Sequence, residues 1–159
     1  MAEDQESIHY ETYLQLDKIL GAQKLRSEEY SSKPAHDETL FLIIHQVYEL
    51  WFKQIIHELR AVLDMFDQDR VDERNIGKAV ANLDRIIEIQ KILIQQIRVL
   101  DTMTSQDFLE FRGLLFPASG FQSFQFRLVE VLLGLKAQHR ATYGKVKYTD
   151  FFTDEQNAQ

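Results

Sequence analysis

The sequence contains no cysteine. That excludes disulfide frameworks, cysteine nucleophiles, zinc–cysteine sites, iron–sulfur clusters and thioether-linked haem. It fits a reducing compartment, and a cytoplasmic protein is expected. Two prolines and six glycines among 159 residues are few. A sandwich or barrel needs frequent turn punctuation, so this scarcity points to helices. Basic charge is also short: 18 Lys+Arg stand against 25 Asp+Glu, a net charge of −7. A surface of that sign repels phosphate backbones and anionic lipid, so neither nucleic acid nor a membrane is expected as a partner. Long apolar runs are missing too. The longest, Leu40–Ile44, falls far below the ~18 residues of a membrane span. The acidic start, Met1 to Glu6, has none of the basic and apolar regions of a targeting peptide.

What remains is 45% hydrophobic and 27% charged, a globular composition with enough chain for one core. We read residues 1–159 as one all-α unit, a bundle of long helices. The first helix is expected from Ser7 to Leu20, with Tyr10, Tyr13, Leu14 and Leu20 on one face and Gly21 as its stop. Arg26–Pro34 reads as a turn. A long helix follows from Asp37 to about Phe66, its apolar residues spread around a broad face. The next spans about Asp72 to Leu100. Ile76, Ala79, Leu83, Ile86, Gln90, Leu93, Ile97 and Leu100 recur there at alternating steps of three and four. Such a stripe is either an internal core face or a subunit seam. Thr104 with Asp107 has capping-box spacing, and Ser119 with Gln122 predicts a helix running to about Lys136. The segment from Gln138 through Tyr148 and Phe152 is less regular; Thr153 with Gln156 then marks one more helix start.

Few residues carry obvious chemistry. Glu6 and His9 form a single Glu-x-x-His pair, whereas a di-iron bundle needs two pairs and further carboxylates. No H-E-x-x-H, Walker A, G-x-G-x-x-G or nucleophile-elbow motif occurs. His45 sits in an apolar helical stretch with Glu49 four residues on, placed for a hydrogen bond along one face. It is either a satisfied core histidine or a functional one. His57 lies about 18 Å further along the same helix, too far to share a metal ion. Arg112 stands among Phe108, Phe111, Leu114 and Leu115. It either snorkels to water or grips an anion, where a guanidinium pairs with a carboxylate through two bonds. Aromatic walls, a histidine and an arginine suit a small-molecule pocket, with an aromatic amino acid as a sensible occupant.

These residues fall inside Tyr10–Leu20, His36–Gln46, Tyr48–Gln54, Pro117–Ser123 and Gln125–Arg127. Those stretches resemble the tryptophan 2,3-dioxygenase family, in order and without gaps, over about Tyr10 to Glu130. The resemblance implies an all-α, tryptophan/indoleamine dioxygenase-like fold, a haem b cofactor and a homotetramer. It also implies cleavage of the indole C2–C3 bond of L-tryptophan by O₂ to give N-formylkynurenine. By that likeness, Phe41, Leu42, Ile43, Ile44 and His45 line the substrate pocket, and His45 is the catalytic-site residue that bonds the indole N–H. Arg112 binds the substrate carboxylate, while Phe108 and Leu115 add apolar wall. Tyr10, Tyr13 and Leu14 complete a neighbouring subunit's pocket, and Ser119 and Gly120 lie by the haem edge. Family members are longer, and their proximal haem histidine and a Gly/Ser-rich closing loop lie in the C-terminal part. Neither is found after Glu130, and His139 stands in the wrong context. No metal ligand is identified, and the expectation is an N-terminal portion that does not turn over alone. The alternative is an inactive helical binding or assembly module of the same fold.

Overall fold

The computed structural model describes residues 8–68, 70–140 and 152–157. Among the described residues all regular structure is helical: α1 (Tyr10–Leu14), α2 (Leu16–Leu20), α3 (Arg26–Tyr30), α4 (His36–Phe66), α5 (Glu73–Leu100), α6 (Ser105–Arg112), α7 (Phe124–Leu132) and α8 (Asp154–Asn157), with three short 3₁₀ turns. None of these helices is long and apolar enough to cross a membrane.

The centre is an antiparallel pair, α4 and α5, of 31 and 28 residues, roughly 46 and 42 Å long at 1.5 Å per residue. Ile55, Ile56 and Leu59 of α4 meet Ile86, Ile89 and Leu93 of α5, and α7 closes the cluster with Leu128 and Val129. Each buried aliphatic side chain contributes about 1.5–3 kcal/mol. Polar clasps secure the same seam. The Tyr48 hydroxyl donates to the Leu93 carbonyl at 2.6 Å, and burial pushes its phenol pKa up. The buried Glu58 carboxylate accepts from Gln54 and from Arg85, each at 2.6 Å.

The helix starts follow local caps. Asp72 accepts from the Arg74 backbone N–H at the head of α5. Thr104 and Asp107 cap each other at the head of α6, as their spacing predicts.

Several expectations are corrected. The helix expected over Ser7–Leu20 is broken at Gln15, which adopts a left-handed conformation (φ 51, ψ 47) between α1 and α2. Neither short helix buries a residue, so no packing enforces one straight rod. Gly21 does end α2, where a Cβ would stand 2.7 Å from the Asp17 carbonyl oxygen. Arg26–Tyr30 is a helical turn instead of a loop, because the buried Glu38 carboxylate accepts from the backbone N–H groups of Arg26 (2.7 Å) and Ser27 (2.9 Å). That cap comes from a distant residue, so no local pattern announces it.

The Ser119–Gln122 box opens only a 3₁₀ turn, Gly120–Gln122. A second cap, Ser123, starts α7, which stops at Leu132 before Gly134 (φ 77). On α5 the buried set is Ala79, Ile86, Ile89 and Leu93, while Ile76, Leu83 and Ile97 are 40–49% exposed. Two apolar stripes overlap on this helix, about 100° apart, and a three-four spacing does not separate them. Thr153 and Gln156 cap α8 reciprocally. Glu6 and Tyr148 lie outside the described residues.

Thr104→Ala should cost about 1 kcal/mol in urea unfolding, the usual loss for an N-cap. The Asp72 carboxyl is held below the usual carboxylate range by its hydrogen bonds from Arg74. Its contribution is therefore present above that range and lost as pH falls through the lowered value. The midpoint difference between the native protein and Asp72→Ala should be full at pH 7 and close on acidification.

Candidate substrate cleft

The N-terminal half of α4 leaves the core and forms one wall of a cleft of about 640 Å³. Phe41, Leu42 and His45 come from α4, Phe108 and Arg112 from α6, and Leu115, Ser119 and Gly120 from the turns after it. An aromatic triangle holds α4 and α6 together. Phe111, fully buried, meets Phe41 at 5.6 Å and Phe108 edge-on at 5.5 Å, and Phe41 lies 5.8 Å from Phe108. Such pairs add about 0.5–1.5 kcal/mol each beyond buried area. The helical spacing of Phe108, Phe111 and Arg112 then leaves Phe108 and Arg112 on the cleft side while Phe111 is the anchor.

His45 Nδ1 lies 2.7 Å from the Phe41 carbonyl oxygen. A carbonyl can only accept, so the proton is on Nδ1, and in the neutral ring Nε2 is left as a bare acceptor. The ring lies 4.1 Å from that of Phe41, tilted by 38°, a contact that restricts its rotation. The expected His45–Glu49 bond is not formed. The Glu49 carboxylate is taken by the Gln125 amide (2.8 Å), which also donates to the Glu49 carbonyl (2.9 Å), tying α7 to α4 at the cleft floor.

Arg112 is exposed. Its guanidinium carbon lies 5.7 Å from the Phe108 ring centroid, a contact worth about 0.5–1 kcal/mol at such a site. Among the described residues no carboxylate pairs with it, so it is available for an incoming anion.

Ser119 accepts from the Phe121 N–H, and its own N–H donates to Gln122, which leaves the hydroxyl proton to donate elsewhere. A Cβ built on Gly120 would meet nothing within 4 Å, so the backbone edge there is open. Apolar rings, a small hydroxyl and an open backbone edge fit one face of a flat macrocycle such as haem. His45 is the one histidine among the lining residues. Among the described residues no group of three or more His, Cys, Asp or Glu side chains is placed to hold a metal ion.

The structure thus brings Phe41, Leu42, His45, Phe108, Arg112, Leu115, Ser119 and Gly120 to one cleft. Ile44 lines an adjoining cavity of about 360 Å³ that shares His45, Ser119 and Gly120. Ile43 is 42% exposed and lines neither. Tyr10, Tyr13 and Leu14 are exposed and stand apart from the cleft. Sequence reasoning missed Gln122 and Ser123 as lining residues and gave Glu49 a different partner. The Ser119/Gln122 capping spacing was the available signal for the first of these.

Comparison with known proteins covers almost the whole chain. The family model described as tryptophan 2,3-dioxygenase matches residues 2–159, further than the Tyr10–Glu130 likeness. Among curated relatives, the tryptophan 2,3-dioxygenase of Alteromonas mediterranea is 51% identical over 99% of this chain and 43% of its own length. That of Bdellovibrio bacteriovorus is 49% identical over 96% of the chain and 42% of its own length. That of Xenopus laevis is 52% identical over 93% and 36%. The chain spans about two fifths of the length of these relatives. With an all-helical architecture and a match along nearly its entire length, the chain belongs to the tryptophan 2,3-dioxygenase family.

Proposed function

We propose that this chain supplies the tryptophan-recognising wall of a haem dioxygenase that joins O₂ to L-tryptophan. Both oxygen atoms enter the product as the indole C2–C3 bond breaks, giving N-formylkynurenine, the first step of the kynurenine route. The observation that carries this reading is the pairing, in one cleft, of an acceptor nitrogen on His45 with the guanidinium of Arg112. Tryptophan presents the matching groups, an indole N–H and a carboxylate, at opposite ends.

In this reading the edges of Phe41 and Phe108, which pack on each other, and the Leu115 side chain line the indole ring and exclude water from it. His45 Nε2 accepts from the indole N–H and sets which edge of the ring points inward. Arg112 takes the carboxylate with two parallel bonds, which fixes the rotation of the side chain. Ser119 and Gly120 would hold the edge of haem b, and that group supplies the activation of O₂ when bound. The chain's own contribution is orientation and electrostatics. We further propose a homo-oligomeric assembly in the cytoplasm, a homotetramer by family likeness, in which Tyr10, Tyr13 and Leu14 complete a neighbouring subunit's pocket. Their exposure supports that role.

A second reading follows from the donor set of the cleft, where the one histidine, His45, is assigned to the indole. The chain would then be a helical binding and assembly module without turnover. Adding haem and tryptophan under reducing conditions separates the two. A Soret band with formation of N-formylkynurenine supports the enzyme, and failure to take up haem supports the module.

The binding roles have their own tests. Arg112→Ala should weaken tryptophan binding by about 10- to 100-fold, as loss of a charged hydrogen bond does, and leave tryptamine, which has no carboxylate, within about twofold. Equal loss for both ligands would contradict the carboxylate assignment. His45→Ala should weaken tryptophan by about fivefold, the scale of one neutral hydrogen bond, with 1-methyltryptophan unaffected.

A further inference from the structure

Glu49 stands one helical turn after His45 on α4, and the two side chains line the cleft together. They also share the adjoining cavity of about 360 Å³ and a further one of about 450 Å³ on the flank of α4. Side chains at i and i+4 of a helix lie one above the other, within bonding reach. Yet these two do not bond. His45 Nδ1 is on the Phe41 carbonyl oxygen at 2.7 Å, and Glu49 Oε2 accepts from the Gln125 amide at 2.8 Å.

We propose that Gln125 is a positioning residue acting through Glu49: by holding that carboxylate, it keeps it off His45 and so keeps Nε2 bare. A carboxylate and an unprotonated ring nitrogen are both acceptors, and they repel at bonding distance. A carboxylate free to reach Nε2 draws a proton onto it from water, because the imidazolium makes a charge-assisted bond that the bare nitrogen cannot. Nε2 then donates, and an indole N–H finds no acceptor. The purpose assigned to Gln125 rests on the proposed reading of Nε2; its effect on the ring does not, since both partners belong to the free chain.

Gln125 suits this role in two ways. Its amide nitrogen donates to the Glu49 carbonyl at 2.9 Å as well as to the carboxylate, so it grips the residue at both ends. Its own place is set by α7, which Ser123 caps through the Phe126 N–H and which Leu128 and Val129 anchor in the core. An amide is also neutral. A lysine or arginine would hold the carboxylate too, but would set one more cation beside His45. The other charged groups that share a cavity with His45 are Arg112 of α6, Lys18 of α2 and Lys53 of α4. Lys18 bonds Gln15 at 2.9 Å. Lys53, four residues after Glu49, is the competing receiver for a released carboxylate.

The test is imidazole ¹⁵N NMR at neutral pH on the protein as expressed from its own gene, without tryptophan, with circular dichroism confirming that each variant stays helical. Gln125→Met keeps close to the native length and removes the donor. It should raise the ratio of protonated to bare Nε2 on His45 by about tenfold or more, the effect of a carboxylate at bonding distance. Should that variant unfold, Gln125→Asn, one methylene too short to reach, takes its place. Adding Glu49→Gln should restore the native His45 signal, although the bond from residue 125 to the Glu49 carbonyl stays lost. The same altered signal in single and double variants would show a merely structural clasp and overturn the proposal. So would an unchanged His45 in Gln125→Met, the result expected if Lys53 takes the carboxylate. Binding is read separately. Gln125→Met should weaken tryptophan by about fivefold, the scale of one neutral hydrogen bond, and leave 1-methyltryptophan unaffected. A protonated Nε2 with tryptophan binding intact would uphold the role of Gln125 and overturn the indole assignment alone.

Discussion

The burial of Ile55, Ile56 and Leu59 of α4 against Ile86, Ile89 and Leu93 of α5, with Leu128 and Val129 of α7, is the interaction on which the rest depends. It fixes the C-terminal half of one continuous helix, and continuity does the remaining work. His45 is ten residues from Ile55 on α4, about 15 Å along an unbroken hydrogen-bonded rod. Immobilising the core therefore immobilises the cleft wall. A site built on such a rod holds its geometry better than one built on loops.

The second wall is anchored differently. α6 has eight residues, too few to be stable alone, and its position comes from its caps and from Phe111. With Phe111 fully buried between Phe41 and Phe108, neighbouring Arg112 is directed outward toward the cleft. One aromatic cluster thus links the nitrogen acceptor of His45 to the cation of Arg112. Gln125 bridges to Glu49 and holds α7 to the same helix. The cleft is assembled from four parts of the chain, yet each is referred back to α4.

How much of this was legible in the sequence depends on how local the cause is. Caps are local, so the starts of α5 and α6 and the stop at Gly21 could be read from Asp72, Thr104 with Asp107, and the glycine itself. Causes that act across the fold could not. α3 exists because Glu38 caps it from twelve residues away. The break at Gln15 reflects an absence of packing, which no residue pattern records. On α5, Ala79 and Leu83 belong to two different faces, and a single three-four spacing merged them. For the cleft, periodicity left His45 and Arg112 undecided between structural and functional roles. Family likeness singled them out, and the geometry supplied the protonated nitrogen of His45 and the Phe108 contact of Arg112.

The central claim is that His45 presents Nε2 as the acceptor for an indole N–H while Nδ1–H stays on the Phe41 carbonyl. ¹⁵N NMR of the imidazole side chains reads this directly. Titrating tryptophan into the protein should shift the Nε2 resonance of His45 in the direction of an accepted hydrogen bond, with Nδ1 unchanged, and 1-methyltryptophan should leave Nε2 where it was. A proton found on Nε2, or the same response to both ligands, would contradict the account.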